Sequence, residues 1–265
     1  MKVKVIKLHS THQKKPAAAS PATSEFRNKT DDDISRLAFG QIAWVIDEAL
    51  DLDFLELVDT FRQTLVLDTK RPTVKRRFFS SAEQCPEIRD GLVTAIRDAI
   101  AVPFGNDDWN LSDSLTDTTE TSGNVEAKRP CHHKVYFSDQ STGSNSLLPD
   151  ELHILAYMRF LEYDTVGGRL DPHTDGNKIC EDTGKKSTHT MLLYLHNCET
   201  GGETILFDNT KKQNPPRMIE AVKPLRGRIL LFPHPTLHEG APAVDLPKIC
   251  LRAEVSLSDT ANTDQ

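Results

Sequence analysis

The sequence predicts an α+β fold that is mainly β, with helices in its first half and a sandwich or jelly roll in its second. Two observations predict this fold. Before residue 105, apolar residues recur at three- and four-residue steps, as they do on the buried face of a helix. After Pro130, short apolar or alternating segments are separated by Gly, Pro, Asn and Asp, with no helical stretch between them. Many short strands in succession are typical of sheets packed face to face.

Two amphipathic helices are predicted in the region 34–105. The first lies between Ile34 and Leu67, and the second runs from about Ser81 to Ala101. Amphipathic helices of this kind usually cover a core, so the region is interpreted as helical support for the β half. The apolar positions that carry the two patterns are Leu55, Val58, Phe61 and Leu65, then Ile88, Leu92, Ile96 and Ile100.

Three segments lack any periodic pattern. Residues 1–33 form a leader with seven basic residues and one acidic residue up to Thr30, which we interpret as disordered. An organelle-targeting leader stays open as an alternative, whereas a nucleic-acid-binding arm is disfavoured because no aromatic residues interleave with the lysines. Residues 106–130 are a polar loop, either a disordered insert or a lid near a site. Residues 259–265 are a short tail.

The β core is predicted over residues 131–258. Its turns are marked by glycine pairs and by proline-rich stretches. The predicted strands are Ile154–Tyr163, Thr188–Leu195, Thr204–Asp208, Met218–Val222, Arg228–Phe232 and Pro247–Leu257.

Composition excludes several classes of protein. Hydrophobic residues are 37% and charged residues 27% of the 265, as in an ordinary globular protein. No apolar run approaches the roughly 20 residues that span a bilayer, so no membrane partner is expected. Because the chain beyond the leader is acidic, a broad phosphate-binding surface is disfavoured and nucleic acid is an unlikely partner.

The five cysteines, at 85, 131, 180, 198 and 250, are odd in number and widely spaced, with no C-x-x-C pair. This pattern favours free thiols in a reducing compartment over a disulfide framework. The first residues also lack the apolar core of a secretory signal. We therefore expect a cytoplasmic or nuclear protein.

The motif Pro172-His-Thr-Asp-Gly176 carries the candidate chemistry. In an extended segment, residues two apart point to the same side, so His173 and Asp175 can converge on one cation. A third ligand is available at His238, which follows the apolar strand that ends at Phe232. Two imidazoles and one carboxylate on one face of an octahedron are the ligands of non-haem iron(II) oxygenases.

Other interpretations of this motif and of the third ligand remain open. H-x-D alone is a weak pattern, and the same ligands also suit zinc in a hydrolase. His234 is a rival to His238, although it stands between prolines and lacks the Glu-Gly that follows His238.

The sequence resembles the iron(II)- and 2-oxoglutarate-dependent dioxygenases, and their prolyl 4-hydroxylase-like branch above all, from about residue 156 to residue 257. Beyond the H-x-D motif, the resemblance rests on ordered short motifs across that stretch. These are Arg159-Phe-Leu-Glu-Tyr163, Gly167-Gly168, Thr190-Met-Leu-Leu-Tyr-Leu195, Gly201-Gly-Glu-Thr204, Phe207, Pro224-Leu-Arg-Gly227, Leu230-Leu-Phe232, His238-Glu-Gly240 and Lys248-Ile-Cys-Leu-Arg252.

The resemblance implies a double-stranded β-helix, a squashed jelly roll of two antiparallel sheets with supporting N-terminal helices. It implies iron at His173, Asp175 and His238. It further implies 2-oxoglutarate as cosubstrate, its far carboxylate gripped by a basic side chain on the strand after His238. Lys248 and Arg252 are expected to share that task, since both lie on one face of the strand. Tyr163 matches a tyrosine that lines the cosubstrate pocket.

The implied reaction is hydroxylation of a C–H bond by O2, coupled to decarboxylation of 2-oxoglutarate to succinate and CO2, with ascorbate as a candidate helper. Related halogenases lack a carboxylate at the position of Asp175, so hydroxylation is favoured. A peptidyl proline is the leading substrate. A lysyl residue, a free amino acid, a small metabolite or a nucleobase remain alternatives, because the fold does not select among them. A catalytically silent metal-binding module is the other alternative.

Other polar residues are interpreted as structural. His189, Met191 and Leu193 alternate on one strand and face either the pocket or, more commonly for such residues, the core. No chemistry is assigned to His153 or His196, or to the neighbours His132 and His133, which point to opposite faces if extended. Gly201-Gly202 is interpreted as a turn.

Overall fold

The computed structural model describes residues 1–8, 42–70, 73–101, 136–137, 151–180, 183–208 and 215–258. Most of the leader, the polar loop 106–130, the tail 259–265, and His132 and His133 lie outside these ranges. The described residues form thirteen strands and three helices. They are β1 (Lys2–Lys7), β2 (Ile42–Asp47), α1 (Leu52–Thr64), β3 (Lys75–Ser80), α2 (Ser81–Gln84), α3 (Pro86–Ile100), β4 (Tyr136–Phe137), β5 (Glu151–Ile154), β6 (Tyr157–Tyr163), β7 (Leu170–His173), β8 (His189–Tyr194), β9 (Thr204–Asp208), β10 (Arg217–Val222), β11 (Ile229–Pro233), β12 (Leu237–Gly240) and β13 (Lys248–Ser258).

The strands form two antiparallel sheets. The larger sheet runs in the order β3-β6-β13-β8-β11-β2-β1-β4, with β5 paired to β13, and the smaller runs β10-β9-β12-β7. The two sheets pack face to face, and the helices cover the outer face of the larger sheet. This is a jelly roll of the double-stranded β-helix type, and the predicted fold class is confirmed.

Two separate apolar cores hold these three layers together. One lies between the sheets, where Leu206 and Ile219 of the smaller sheet meet Leu192 and Leu230 of the larger. The other lies between the larger sheet and the helices, and joins Leu193 to residues such as Ile96. The central strands β8 and β11 of the larger sheet therefore bury both faces.

The prediction of a disordered leader is wrong for residues 2–7, which form β1 beside β2. The segment Lys-Val-Lys-Val-Ile-Lys alternates basic and apolar residues, and Val3 and Val5 are buried. Lys4 also pairs with Glu220 of the smaller sheet at 2.8 Å. The lysines of this segment alternate with apolar residues, and a repeat of two residues is typical of a strand, so the basic charge alone was a poor sign of disorder.

The first predicted helix is too long. Of the described part of that stretch, residues 42–67, only Leu52–Thr64 is helical, and Ile42–Asp47 is instead a strand between β1 and β11. The run Ile-Ala-Trp-Val-Ile is apolar on every side, so its periodicity does not distinguish a helix from a strand buried on both faces. The helix begins where Asp51 accepts a hydrogen bond from the Phe54 amide at 2.8 Å, an ordinary N-cap.

The second predicted helix is present but divided. Pro86 cannot donate a backbone hydrogen bond, so the chain closes the short α2 before it and begins α3 at the proline. The predicted strands are all found, with bounds that differ by at most one residue, except that the predicted Ile154–Tyr163 covers the last residue of β5 and all of β6. Four free cysteines are seen, at 85, 180, 198 and 250. No helix among the described residues is long and apolar enough to cross a membrane.

Candidate active site

His173 and His238 lie directly opposite each other on β7 and β12, neighbouring antiparallel strands of the smaller sheet. Their ring centroids are 4.3 Å apart. The ring of Phe232, on the larger sheet, packs edge-on against His238 with centroids 4.6 Å apart. Cross-strand pairing therefore sets the spacing of the two imidazoles, and an aromatic residue of the facing sheet supports one of them.

Asp175 lies two residues beyond His173 and completes the group. Its Oδ1 is 3.8 Å from Nε2 of His173, and its Oδ2 is 3.6 Å from Nε2 of His238. One ligand atom from each of the three side chains lies within 4.8 Å of the others. Ligands at right angles around a divalent metal, each about 2.1 Å from it, are about 3 Å apart. The three atoms therefore need to move inward by less than about 1 Å to bind one ion.

The hydrogen bonds of both histidines prepare them as metal ligands. Nδ1 of His173 donates to the carbonyl of Asp171 at 2.8 Å, and Nδ1 of His238 donates to the carbonyl of Thr236 at 2.9 Å. Because a carbonyl only accepts, each Nδ1 carries the proton and each Nε2 keeps a free lone pair. This arrangement is the usual orienting contact of a metal-bound imidazole.

The site is enclosed on one side and open on the other. His238 and Asp175 have side chains that are 7% and 9% exposed, while the side chain of His173 is 33% exposed. Burial is the main cause that lowers the pKa of His238, and it outweighs the opposite effect of Asp175. His238 is therefore neutral at neutral pH, the form that binds a metal.

Two further side chains hold the carboxylate of Asp175. Nη2 of Arg252 forms an ion pair with Oδ1 at 2.8 Å, and the hydroxyl of Thr190 donates to Oδ2 at 2.6 Å. The backbone amide of Asp175 donates to the carbonyl of His234 at 3.0 Å. Each oxygen of Asp175 thus has a fixed partner, which orients the carboxylate between the two histidines.

The structure gives the two basic residues of β13, which were expected to share the cosubstrate carboxylate, different partners within the protein. Arg252 binds Asp175 through Nη2 and Glu254 through Nη1, the latter also at 2.8 Å. Its planar fork is used by two carboxylates of the protein itself. The sequence alone placed Arg252 on the correct face of the strand but could not show that Asp175, distant in sequence, reaches it.

Lys248 is buried, with 2% of its surface exposed, and forms no ion pair or hydrogen bond with the described residues. Its ammonium lies 4.7 Å from the centroid of the Tyr163 ring, a cation–π contact. Burial lowers the pKa of Lys248, and nearby Cys250, Cys198 and Glu203 only partly oppose this effect. A buried cation without an anionic partner is costly, so this position is prepared for an anion.

Tyr163 links Lys248 to the strand that carries His238. Its hydroxyl lies 3.5 Å from the place where a side chain on Gly240 would begin, two residues after His238. Among the described residues the hydroxyl has no hydrogen-bond partner, so it is free to meet a ligand. Burial raises the pKa of Tyr163, which keeps the phenol protonated and able to donate.

The glycine pair after β8 has a role that sequence reasoning missed. Gly201 and Gly202 both have positive φ angles, 71° and 74°, so the predicted turn is present. A Cβ on Gly202 would stand only 3.2 Å from Cδ of Lys248. The turn therefore packs against the stem of Lys248, a contact that a Gly-Gly dipeptide does not reveal.

His234, the rival ligand, uses both ring nitrogens elsewhere. Its Nε2 is 2.9 Å from the hydroxyl of Ser187, and its Nδ1 is 3.1 Å from the hydroxyl of Thr190. It is 1% exposed, and burial lowers its pKa. His234 therefore supports Thr190 and the backbone of Asp175 rather than joining the cluster of ligand atoms.

The other residues that the sequence analysis considered do not belong to the group of candidate metal ligands. Met191 and Leu193 belong to the core beneath the helices, and His189, on the same side of β8, contacts Trp44 of that core. The opposite face of β8 points to the site and carries Thr190. Sequence reasoning missed Thr190 because the alternation of residues along β8 does not show which face of the strand points to the site. Nε2 of His153 is 3.2 Å from Sγ of Cys180, and His196 has a pKa lowered mainly by burial.

A double-stranded β-helix with a two-histidine, one-carboxylate cluster between its sheets defines a class of candidate metal-dependent oxygenases. Comparison with protein families agrees, since residues 158–253 match the model of the 2OG-Fe(II) oxygenase superfamily. Residues 158–253 are therefore similar to that superfamily. The resemblance seen in the sequence is therefore confirmed. In a sequence comparison, no curated protein matches the chain.

Solved structures similar to the chain are distant in sequence and only moderately superposable. A viral collagen prolyl hydroxylase from Paramecium Bursaria Chlorella virus-1, in complex with 2-oxoglutarate, is 15% identical and superposes with a TM-score of 0.46. The alignment covers 82% of this chain and 96% of the viral chain. A prolyl-4-hydroxylase from Pseudomonas putida is 14% identical, with TM-score 0.47 and coverage of 85% and 96%. HygX from Streptomyces hygroscopicus, with nickel and 2-oxoglutarate bound, is 13% identical, with TM-score 0.47 and coverage of 81% and 82%.

Proposed function

We propose that this protein is an iron(II)- and 2-oxoglutarate-dependent hydroxylase with its iron at His173, Asp175 and His238. The observation that carries the proposal is the convergence of these three ligand atoms, with both Nε2 atoms freed by the Nδ1 hydrogen bonds. The donor set fits iron(II), since two imidazoles and a carboxylate occupy one face and leave the other open.

Lys248 is the proposed anchor of 2-oxoglutarate. Its buried ammonium lacks an anionic partner among the described residues, and a dicarboxylate supplies one. The hydroxyl of Tyr163 lies on the path from Lys248 to β12 and can donate a second hydrogen bond to the same carboxylate. The Gly201-Gly202 turn holds the stem of Lys248 in place.

The residues of the chain then have distinct tasks. When bound, iron(II) activates O2, which couples decarboxylation of 2-oxoglutarate to succinate and CO2 with transfer of one oxygen atom to a substrate C–H bond. Arg252 and Thr190 orient the carboxylate of Asp175. Lys248 and Tyr163 orient the cosubstrate, and the apolar core between the sheets excludes water from the closed side.

A peptidyl proline is the proposed substrate. It is supported by the position of Lys248, ten residues after His238, which is where the prolyl hydroxylase branch has its lysine. Lysyl residues, free amino acids, small metabolites and nucleobases are the alternatives that a substrate screen must include, since the fold is shared among them.

The proposal is tested by assaying purified protein for succinate formed from 2-oxoglutarate, with iron(II), O2 and ascorbate. We expect turnover that requires iron(II) and that is lost in His238→Ala. A zinc hydrolase or a silent module with the same cluster forms no succinate under these conditions, so an inactive, fully iron-loaded protein would refute the proposal. Succinate measured with and without candidate peptides then identifies the substrate.

A further inference from the structure

A row of side chains crosses three strands of the larger sheet next to the three candidate metal ligands. Strand pairing sets Phe78 of β3 opposite Arg159 of β6, and Arg159 opposite Arg252 of β13. Directly paired residues point to the same face of a sheet, with Cβ atoms about 4.5–5.5 Å apart. The row therefore lies on one face, ordered Phe78, Arg159, Arg252.

This face is the one that carries the proposed active site. Arg252 contacts Asp175, a candidate metal ligand, at 2.8 Å. The residues on either side of Arg159 in β6, Met158 and Phe160, point the opposite way into the core beneath the helices. Arg159 is thus the next basic side chain after Arg252 on the face of the sheet that carries the candidate metal ligands.

Arg159 has no fixed anionic partner within the described part of the chain. Its Nε is buried without a hydrogen-bond partner, and no hydrogen bond or ion pair joins its guanidinium to another described residue. Other buried or half-buried arginines are paired: Arg252 with Asp175 and Glu254, and Arg228 with Asp47. A partly buried guanidinium without acceptors is unusual enough to require an explanation.

The charged residues around Arg159 leave it without a bound carboxylate. Like charges directly opposite on paired strands are destabilising, and Arg159 faces Arg252. Glu254 lies diagonally across and gives one oxygen to Arg252, but its Oε2 makes no hydrogen bond. Arg159 acts on Glu254 only through space, where it helps to lower a pKa that burial raises.

An aromatic surface lies beside this guanidinium. The ring of Phe78 stacks on the ring of Tyr157, with centroids 6.0 Å apart and planes at 20°. Tyr157 is 60% exposed, although large aromatic residues are usually buried more deeply. An aromatic surface can pack against the apolar part of a ligand whose anionic group binds the neighbouring cation.

We propose that Arg159 is a specificity residue that binds a carboxylate group of the substrate beside the carbon to be hydroxylated. This inference rests on the proposed function and adds the chemical class of its substrate. The carboxylate comes either from an acidic side chain next to the reacting residue of a peptide or from the α-carboxylate of a free amino acid. A planar guanidinium can bind either one with two parallel hydrogen bonds.

The test compares carboxylates with their amides. Peptides centred on proline or lysine carry Asp, Asn, Lys or Ala on each side of the centre, and free amino acids are compared with their α-amides. Substrate-stimulated succinate formation and isothermal titration into enzyme loaded with manganese(II) and 2-oxoglutarate are both measured. We expect the wild type to prefer one of the two carboxylate sets, with KM lower by about ten- to a hundredfold than for the matching amide.

Variants of Arg159 connect that preference to this side chain. Arg159→Gln should remove the preference mainly through KM, and Arg159→Lys should restore part of it. Arg159→Glu should shift the preference toward the Lys-bearing peptides. Arg97→Gln is the matched control, since this exposed arginine lies on α3 behind the sheet and its loss changes the net charge equally.

Several results would overturn the inference. One is a wild type that treats carboxylates and amides alike; another is a carboxylate preference that survives in Arg159→Gln. Succinate formation that none of these compounds stimulates would also overturn it while leaving the proposed function intact. A wild type that forms no succinate contradicts the proposed function instead, and the titrations still decide whether Arg159 binds the carboxylate.

Discussion

Arg252 forms an ion pair with Asp175 at 2.8 Å, and its other amino group forms one with Glu254 at the same distance. A basic side chain that could have served the cosubstrate thus serves a candidate metal ligand. Lys248, four residues earlier on the same strand face, remains without a protein partner among the described residues. We propose that the two cations of β13 have separate tasks, and the following predictions test this division.

Arg252→Lys keeps the charge but loses the fork that spans two carboxylates. We expect affinity for manganese(II) to fall by about tenfold, because residues that orient metal ligands commonly contribute that much or more. Affinity for 2-oxoglutarate at saturating manganese(II) should stay near that of the wild type. Titration calorimetry measures both constants. An unchanged metal affinity together with weaker 2-oxoglutarate binding would return Arg252 to the role of cosubstrate anchor.

Lys248→Met should have the opposite effects. Loss of the cation that meets the far carboxylate should weaken 2-oxoglutarate binding by about 2–3 kcal/mol, or roughly a hundredfold, as expected for a charge-assisted hydrogen bond. Manganese(II) affinity should be retained. The protein without ligands should become more stable by on the order of 1 kcal/mol, because a buried ammonium without a partner is replaced by an apolar chain of similar length. Urea unfolding with and without 2-oxoglutarate measures these changes, and lower stability of the free variant would contradict the unpaired state of Lys248.

The pH dependence of 2-oxoglutarate binding should follow Lys248. Burial lowers the pKa of Lys248 below the ordinary lysine value of about 10.4, and only the charged form attracts the dianion. Affinity should therefore be highest at low pH and decrease as pH rises through the lowered pKa, before an ordinary lysine would lose its proton. Lys248→Arg stays charged throughout, so its affinity should stay flat over the pH range in which the affinity of the wild type falls. Parallel curves for the two proteins would exclude Lys248 as the anchor.

Gly202→Ala tests the turn that packs on Lys248. The substitution places an alanine at a φ of 74° and a methyl group 3.2 Å from Cδ of Lys248. Gly184→Ala is the matched control, because its φ is 68° and nothing lies within 4 Å of the added Cβ. Both should lose about 1 kcal/mol of stability from the backbone. Only Gly202→Ala should also weaken 2-oxoglutarate binding, and equal effects on binding would show that the contact with Lys248 has no influence.

Local patterns in the sequence predicted much of the fold. Apolar runs bounded by Gly, Pro and Asn marked the later strands closely, and β9 was predicted with its observed bounds. The same rules failed for β1 and β2. In β1 the lysines hid an alternating pattern, and in β2 the residues are buried on both faces, so no period distinguishes strand from helix.

The candidate site was predictable where its residues share a motif, and less so where they meet by pairing of distant strands. His173 and Asp175 are two residues apart, and His238 follows an apolar strand. Thr190 and Glu254 carry no such motif. Glu254 contacts Arg252 two residues earlier on the same strand, and Thr190 reaches Asp175, which is distant in sequence. The register that sets Thr190 opposite Glu254 is not determined by sequence periodicity. The resemblance identified the class of site, and only the structure showed how Asp175 is held.

The most direct test is a crystal structure of the protein grown without oxygen in the presence of manganese(II) and 2-oxoglutarate. The account predicts one metal ion bound by Nε2 of His173, Nε2 of His238 and the carboxylate of Asp175. It also predicts the far carboxylate of 2-oxoglutarate at the ammonium of Lys248, with Arg252 still on Asp175. A metal ion bound without His238, or a cosubstrate carboxylate on Arg252 with Lys248 unoccupied, would contradict it.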